Sequence, residues 1–433
     1  MSSKTTFIAT GDAFITRRVP KAYPGFAQVK RIIQQHDVKF SNLEMTFHDH
    51  EGYPAAFSGG TWAMASPSIL DDIQEFGFNL YNTANNHSHD YSHGGVLATI
   101  RHLRDRQMVF AGTGKHLGDA SRAAYLECDN ARIALIAASS SFHESGAAGA
   151  QSGDMQGRPG LNPLRYVTRY HVEQKHFAAL EQIAKATSIN AAAERSIKNG
   201  YRNPPAPGTL TFGGLSFVCS EENGMHTHPL PVDMERIAGE IREARKQADY
   251  VLVSIHAHEA DGIDITKPAE FLRTFARNCI DAGADGIIGH GPHELRGIEI
   301  YAGKPIFYSL GNFIFQTETV DLQPADAYIN RGMPLDTKVG AYMDNRSKNG
   351  TTGYGVQPNI WLSVMAGWTM EDGKLTGIQL YPITLNMTLP RSRKGLPALL
   401  QDDEVLNYLA ELSAPFGTKI EVCDGVGYIR IGE

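Results

Sequence analysis

Cysteine is scarce in this 433-residue chain, and Cys128, Cys219, Cys279 and Cys423 lie far apart with no Cys-x-x-Cys pair. No disulfide framework can be read from that spacing, which predicts reduced thiols and a cytoplasmic setting. Long apolar runs are also missing. No stretch approaches the ~18 apolar residues of a membrane span. The first ten residues hold no secretory core before Gly11-Asp12, so neither a leader nor a membrane anchor is expected. Positive charge is in short supply: 40 Lys and Arg face 47 Asp and Glu, for a net charge of −7 and a pI near 6.2. That balance argues against a nucleic-acid partner. There is no internal repeat and no low-complexity tract. Ser139-Ser140-Ser141 lacks the Gly-x-Ser-x-Gly elbow, and Gly112-Thr113-Gly114-Lys115 fails the Walker spacing and reads as a turn.

What remains is an ordinary globular composition, 42% hydrophobic and 20% charged, in a chain long enough to bury a large core. Strand-like and helix-like segments alternate through the first third, with strands at 5–10, 38–43 and 109–112 and helices at 25–35 and 94–106. A further helix is expected from Pro67 with Ser66 as its cap. Alternation of this kind implies a layered α/β core with a largely parallel sheet. The rhythm weakens from about 143 to 228, where one helix is expected over 171–195 ahead of the turn-rich 203–208. It returns with helices to 247 and over 268–281, a strand ending at His256, and a hairpin over 298–310. Residues 317–358 are polar and unpatterned, as functional lids often are. Two hairpins turn at 371–373 and at Asp424-Gly425. The division expected is a catalytic domain over 1–385, with insertions at about 143–228 and 317–358, and a C-terminal extension with a β-hairpin over 386–433.

Five short runs stand out: Gly11-Asp12, Asn42-Leu43-Glu44, Asn85-Asn86-His87, His256-Ala257-His258-Glu259, and Gly289-His290-Gly291-Pro292-His293. Four of them follow a strand-like apolar segment. In open α/β sheets the crevice beyond the carboxyl ends of strands is where ligands bind. A single Asp after a strand is more often a turn or helix cap than a ligand. Five such runs in series are a different matter. His256 and His258 share a face if the strand continues, because the side-chain period there is two. The turn at Gly291-Pro292 allows His290 and His293 to point into one crevice. Carboxylates, an Asn carbonyl and imidazoles form a mixed oxygen and nitrogen set that suits Mn, Fe or Zn better than Ca or Mg. Six donors suffice for one or two ions, the paired arrangement that clamps attacking and leaving oxygens in hydrolysis.

Asn42-Leu43-Glu44, the run Ala84-Asn85-Asn86-His87-Ser88-His89-Asp90 with Gly94-Gly95, Gly289–His293, and Tyr308-Ser309-Leu310-Gly311-Asn312-Phe313 occur here in an order that resembles the CapA/PgsA family. That family is named for poly-γ-glutamate capsule synthesis and lies within the calcineurin-like metallophosphoesterase superfamily. The resemblance covers roughly residues 5–140 and 235–315. It implies an α/β chain with the calcineurin-like metallophosphoesterase fold, a two-sheet β-sandwich flanked by helices, with the site at one edge. It also implies that Asp12 is the first metal-binding Asp, Glu44 the bridging carboxylate, Asn86 the metal-bound Asn, and His87 the imidazole that protonates a leaving group. His256, His290 and His293 match the remaining histidine ligands. Glu259 and Asn312 are assigned to substrate. The chain departs from the pattern at Phe14, where the superfamily has a histidine, at His290-x-x-His293 in place of His-x-His, and at His258, an added imidazole.

Three readings follow. The first is a soluble enzyme acting on a peptide or polyglutamate-like substrate by metal-assisted hydrolysis. The second keeps the site without metal, with Asp12, His87, His256 and His258 as acids and bases that epimerise or isomerise a peptide α-carbon. The third is a non-catalytic accessory protein of poly-γ-glutamate synthesis.

Overall fold

The computed structural model describes residues 4–431. Its centre is the strand Lys4–Phe14, which is buried along almost all its length, as a central strand covered on both faces should be. Side chains alternate across it. Phe7 and Ala9 enter one apolar cluster, and Ile8, Ala13 and Phe14 enter another. Val38–Leu43 pairs with it in parallel on one side and Leu362–Glu371 antiparallel on the other. Leu80–Asn82 and Phe110–Ala111 extend the parallel side, while Lys374–Thr384, Val426–Arg430 and Glu421–Cys423 extend the antiparallel side. Asn312–Phe315 pairs with the distal end of Lys4–Phe14 and Ala398–Leu399 with Lys374–Thr384, so ten strands make up this sheet.

A second sheet has six strands in the order Leu295–Tyr301, Lys304–Leu310, Gly286–His290, Tyr250–His256, Arg132–Ser139 and Ala124–Glu127. Ile133, Leu135 and Ala137 share one apolar cluster with Phe7, Phe40 and Leu80 of the first sheet. The intervening residues Ala134, Ile136 and Ala138 face the other way. They pack with Ile237 and Ile241 of the helix Pro231–Ala244 and with Phe271 and Phe275 of Glu270–Asp281. Outside the first sheet lie Phe26–Gln34, burying Phe26, Val29 and Ile33, and Ile69–Glu75, burying Ile69 and Ile73. Spacings of three and four residues give each helix a single apolar face. The chain is thus a mixed α/β protein with multiple sheets and helices. Helix Glu404–Ser413 adds Val405, Leu406 and Leu409 to the cluster between the sheets.

Two expected elements differ from the structure. The helix expected from Pro67 begins at Ile69, and Ser66 contributes a backbone carbonyl to the preceding turn, with no side-chain cap at the helix start. The single helix over 171–195 is replaced by the strand Tyr166–Val172 and the helices Gln174–Thr187 and Ala191–Lys198. The break falls at Ser188, whose φ of 54° is left-handed and cannot continue an α-helix. Tyr166–Val172 joins Thr209–Phe212, Leu215–Cys219 and Gly224–Pro229 in a separate four-stranded sheet. Residues 317–358 fold into two short helices, Ala325–Ile329 and Val339–Ser347, with 3-10 turns around them.

Register sets up the site. Asp12, Asn42 and Asn82 stand side by side near the carboxyl ends of three parallel strands. His256 and His290 do the same in the second sheet.

Candidate metal centre

Gly11 precedes Asp12 because the chain crosses Gly311 there. A Cβ at Gly11 would lie 1.8 Å from the Gly311 carbonyl oxygen. The close approach lets Asp12 N donate to that carbonyl at 3.0 Å, which fixes the Asp12 backbone. The Asp12 carboxylate is fully buried and accepts from Asn42 Nδ2 at 2.7 Å and from Gly291 N at 3.0 Å. Its oxygens lie 3.5 Å from His290 Nδ1 and from His293 Nδ1. Burial opposes its charge, but the His293 hydrogen bond, the His290 and His293 imidazoles and Asn42 outweigh that and hold the carboxyl below its usual range.

Glu44 follows the strand Val38–Leu43 and is the opposite case. It is fully buried, and neither carboxylate oxygen has a hydrogen-bond partner. Burial, then the Asp12 and Asp90 charges, push it well above the usual carboxylate range. An orphaned carboxylate of this kind is a large penalty unless a positive charge comes to meet it.

Four imidazoles surround these two acids. His256 Nδ1 lies 2.9 Å from His290 Nδ1, and His256 Nε2 lies 3.0 Å from His258 Nε2. Glu44 Oε1 is 3.8 Å from both His256 Nε2 and His293 Nε2. Burial pushes His290 down to about 4 and His258 to about 3, and lowers His256 well below its ordinary value. Near neutral pH these three are neutral rings with lone pairs to offer. The outer nitrogens are steered by neighbours: His290 Nε2 lies 2.7 Å from Ser254 Oγ, and His293 Nδ1 lies 2.8 Å from Asn312 Oδ1. Steering of this sort orients metal-binding imidazoles in general. His293 takes a left-handed φ of 62° directly after the turn opened by Gly291 at 122°. That is an uncommon conformation for a residue with a side chain.

Asp12, His256 and His290 form one triplet of donors; Glu44, His256 and His258 form a second; Asp12, Glu44 and His293 form a third. Within each, the donor atoms lie within 4.8 Å of one another. Ligands held at about 2.0–2.2 Å from one ion stand roughly 3–3.5 Å apart, close to the 2.9–3.8 Å contacts seen here. Donor type, spacing and the two orphaned Glu44 oxygens therefore fit a transition-metal ion, and the sharing of Asp12 and Glu44 between triplets leaves room for a second.

The other expected site residues are placed as follows. His87 is buried beside the cluster, its Nδ1 2.6 Å from Asp90 Oδ2 and its ring edge-on to Phe14 at 5.1 Å. Asn86 Nδ2 donates to Gly59 O at 3.0 Å, and its Oδ1 is buried without a partner. Asn312, expected at substrate, is buried and donates to the Ile360 carbonyl at 2.9 Å while holding His293. Glu259 belongs to none of the triplets and accepts from Ser140 Oγ at 2.7 Å and Ser141 Oγ at 3.1 Å.

Several residues that organise the site carry no chemical signature in sequence. Asn42 holds Asp12 and is itself held by Asn82 Nδ2 at 2.5 Å and Asn85 Nδ2 at 3.2 Å. It lies in the run Asn42-Leu43-Glu44, but nothing in that run shows that its side chain is paired with Asp12. Asp90 also accepts from Gly59 N and Ala63 N, at 2.8 and 2.7 Å. The fully buried Arg296 donates to the carbonyls of Ala257, His258 and Ile265, pinning the segment that carries His258.

With this geometry in place, comparison decides the family. The profile of the family described as "Bacterial capsule synthesis protein PGA_cap" matches residues 6–317. The chain belongs to this family. A Sinorhizobium fredii protein, the uncharacterized y4sH, is 32% identical over 98% of this chain and 93% of its own length. The PGA biosynthesis protein CapA of Bacillus subtilis is 26% identical over 81% of this chain and 74% of its own length. The capsule biosynthesis protein CapA of Bacillus anthracis is 24% identical over 72% and 60% respectively. Among the described residues, no helix is long and apolar enough to cross a membrane.

Proposed function

We propose that this chain is a metal-dependent hydrolase of the calcineurin-like metallophosphoesterase type, cleaving an amide or ester bond in a peptide or polyglutamate-like substrate. The observation that carries the reading is the convergence of Asp12, Glu44 and four imidazoles around a buried carboxylate with no partner of its own. Asp12, Glu44, His256, His290 and His293 would hold one or two ions of Mn, Fe or Zn, with the Asn86 carbonyl oxygen as a further donor. The chemistry supplied there is Lewis acidity, which polarises a carbonyl and acidifies water.

The chain's own residues do the rest. Asp90 engages His87 Nδ1, which leaves Nε2 as the nitrogen that delivers a proton. When water adds to the substrate carbonyl and the C–N bond breaks, the departing nitrogen takes its proton from His87, the hydroxyl stays on the acyl carbon, and the proton released by the water restores His87. Asn42 and Gly291 N keep the Asp12 carboxylate aimed. The names of the two CapA relatives support a glutamate-containing substrate. A panel of γ-glutamyl and α-aminoacyl p-nitroanilides, assayed with Mn, Fe or Zn added, tests the reading. Release of p-nitroaniline that stops with chelator supports it, and its absence from every member removes it.

One observation favours a second reading. Phe14 packs its ring against His87 where the superfamily places a metal-binding histidine. His87, Asp12, His256 and His258 would then act without metal as acids and bases on a peptide α-carbon, exchanging its hydrogen with solvent. Carbon-bound deuterium in uncleaved peptide after incubation in heavy water would select this reading. Failure of both assays leaves the accessory, non-catalytic role.

A further inference from the structure

A cavity of about 290 Å³ opens beside the metal centre, with His258 and Asn86 in the shared wall. Four of the ten remaining lining residues carry rings: Phe57, His89, Phe142 and His143. Phe57, on an exposed loop, is 58% exposed, yet its ring lies parallel to His143 at 4.0 Å. Phe142 and His89 also line the cavity. We infer that this cavity is a side-chain subsite that takes a planar, uncharged ring of a peptide substrate in preference to the carboxylate of a polyglutamate. The inference rests on the hydrolase reading above and narrows its substrate class.

No lysine or arginine lines the cavity. The one carboxylate in its wall, Asp90, is already taken by His87, Gly59 N and Ala63 N. Burial, with the charges of His93, His143 and Arg158 adding, pushes His89 down to about 4, so that ring brings no cation near neutral pH. A glutamyl carboxylate entering here would exchange water for hydroxyl, amide and imidazole donors, with no lysine or arginine in the lining to offset its desolvation. A ring would meet other rings at stacking and edge-on distances. The volume is sufficient for a ring side chain and lies at the small end of the range for ligand pockets.

Calorimetric titration of the full chain with N-acetyl-phenylalaninamide, N-acetyl-leucinamide and γ-glutamyl-glutamate tests this without requiring turnover. The phenylalanine probe should bind most tightly and γ-glutamyl-glutamate most weakly. Phe57→Ala should weaken the phenylalanine probe roughly two- to ten-fold, the worth of one ring contact. Phe57→Trp should retain its binding. Phe57 is exposed and outside the metal centre, so metal content and melting temperature should not move. The inference is overturned if γ-glutamyl-glutamate binds as tightly as the phenylalanine probe, or if Phe57→Ala leaves that probe unaffected. The two proposals fail separately. Ring-selective binding with no cleavage removes the hydrolase and keeps the subsite, whereas cleavage of γ-glutamyl anilides with no ring selectivity does the reverse.

Discussion

His87 and Asp90 form a buried dyad, Nδ1 to Oδ2 at 2.6 Å, one turn of chain apart and shut in by Phe14. Burial pushes the Asp90 carboxyl up, while the His87 charge and bond and two backbone N–H groups pull against that. A dyad of this form fixes the tautomer and leaves one imidazole nitrogen for proton transfer. His87→Asn should therefore lower turnover by roughly 10²–10⁴, the usual worth of a general acid. Metal content and far-ultraviolet circular dichroism should be unchanged. Loss of metal in this variant would reassign His87 as a ligand.

Glu44→Gln separates metal binding from folding. The wild-type carboxyl is buried with both oxygens unpaired, so the neutral amide should leave the melting temperature of metal-free protein equal or higher. A ligand that binds only the folded state raises its stability. The rise in melting temperature on adding Mn or Zn should then be largely lost in the variant. An undiminished rise would place the ion away from Glu44.

Acid should destabilise the metal-free protein, and the sign follows from the histidines. His48, His89 and His290 are pushed down to about 4 and His258 to about 3, with His36 and His256 also lowered. Below about pH 6.5 the unfolded imidazoles take up protons that the folded ones refuse, so stability is full above that value and falls toward pH 4. Glu44, Asp90 and Glu294, raised by burial, act in the opposite sense but are fewer. Melting followed by scanning fluorimetry with chelator should show a plateau above pH 7 and a loss of several degrees per pH unit below 6.5. A flat profile to pH 4 would contradict these assignments.

Residues 317–358 reach the site through Tyr354, whose ring contacts His293 at 5.9 Å and Phe315 at 5.0 Å. Gln323 Nε2 donates to Trp62 O at 2.9 Å, Arg346 reaches Thr61, and Arg391 pairs with Glu318 and Asp344. Tyr354→Ala should weaken metal retention several-fold by freeing His293, and Tyr354→Phe should not. Limited proteolysis should nick the segment in the free protein, faster in Arg391→Ala, and spare it with substrate bound. Equal cleavage in both states would argue against a lid.

The positions of Asp12, Glu44, His256 and His290 were legible in the sequence because each ends or follows an apolar strand, and parallel sheets align such ends in space. The hairpins at 298–310 and 371–373 were legible for a similar reason: apolar alternation interrupted by turn residues. The four-stranded sheet within 143–228 was not. Thr209–Phe212 alternates polar and apolar residues over only four positions, and Leu215–Cys219 is half-exposed without alternation, so neither run is long enough to announce a strand. The contacts that orient the ligands escaped too, although Asn42 itself lies in a run that stands out. Asn42, Asn82, Ser254 and Arg296 act through contacts between distant segments, and a lone polar residue in a strand has no pattern that announces its partner.

The central claim is that the buried acid and histidine cluster holds a transition-metal ion. Elemental analysis of the full chain, loaded with Mn, Fe or Zn and freed of excess metal, tests it most directly. One to two retained equivalents, falling in Asp12→Asn and Glu44→Gln, is the predicted result. No retained metal, together with undiminished turnover in the presence of chelator, would contradict it.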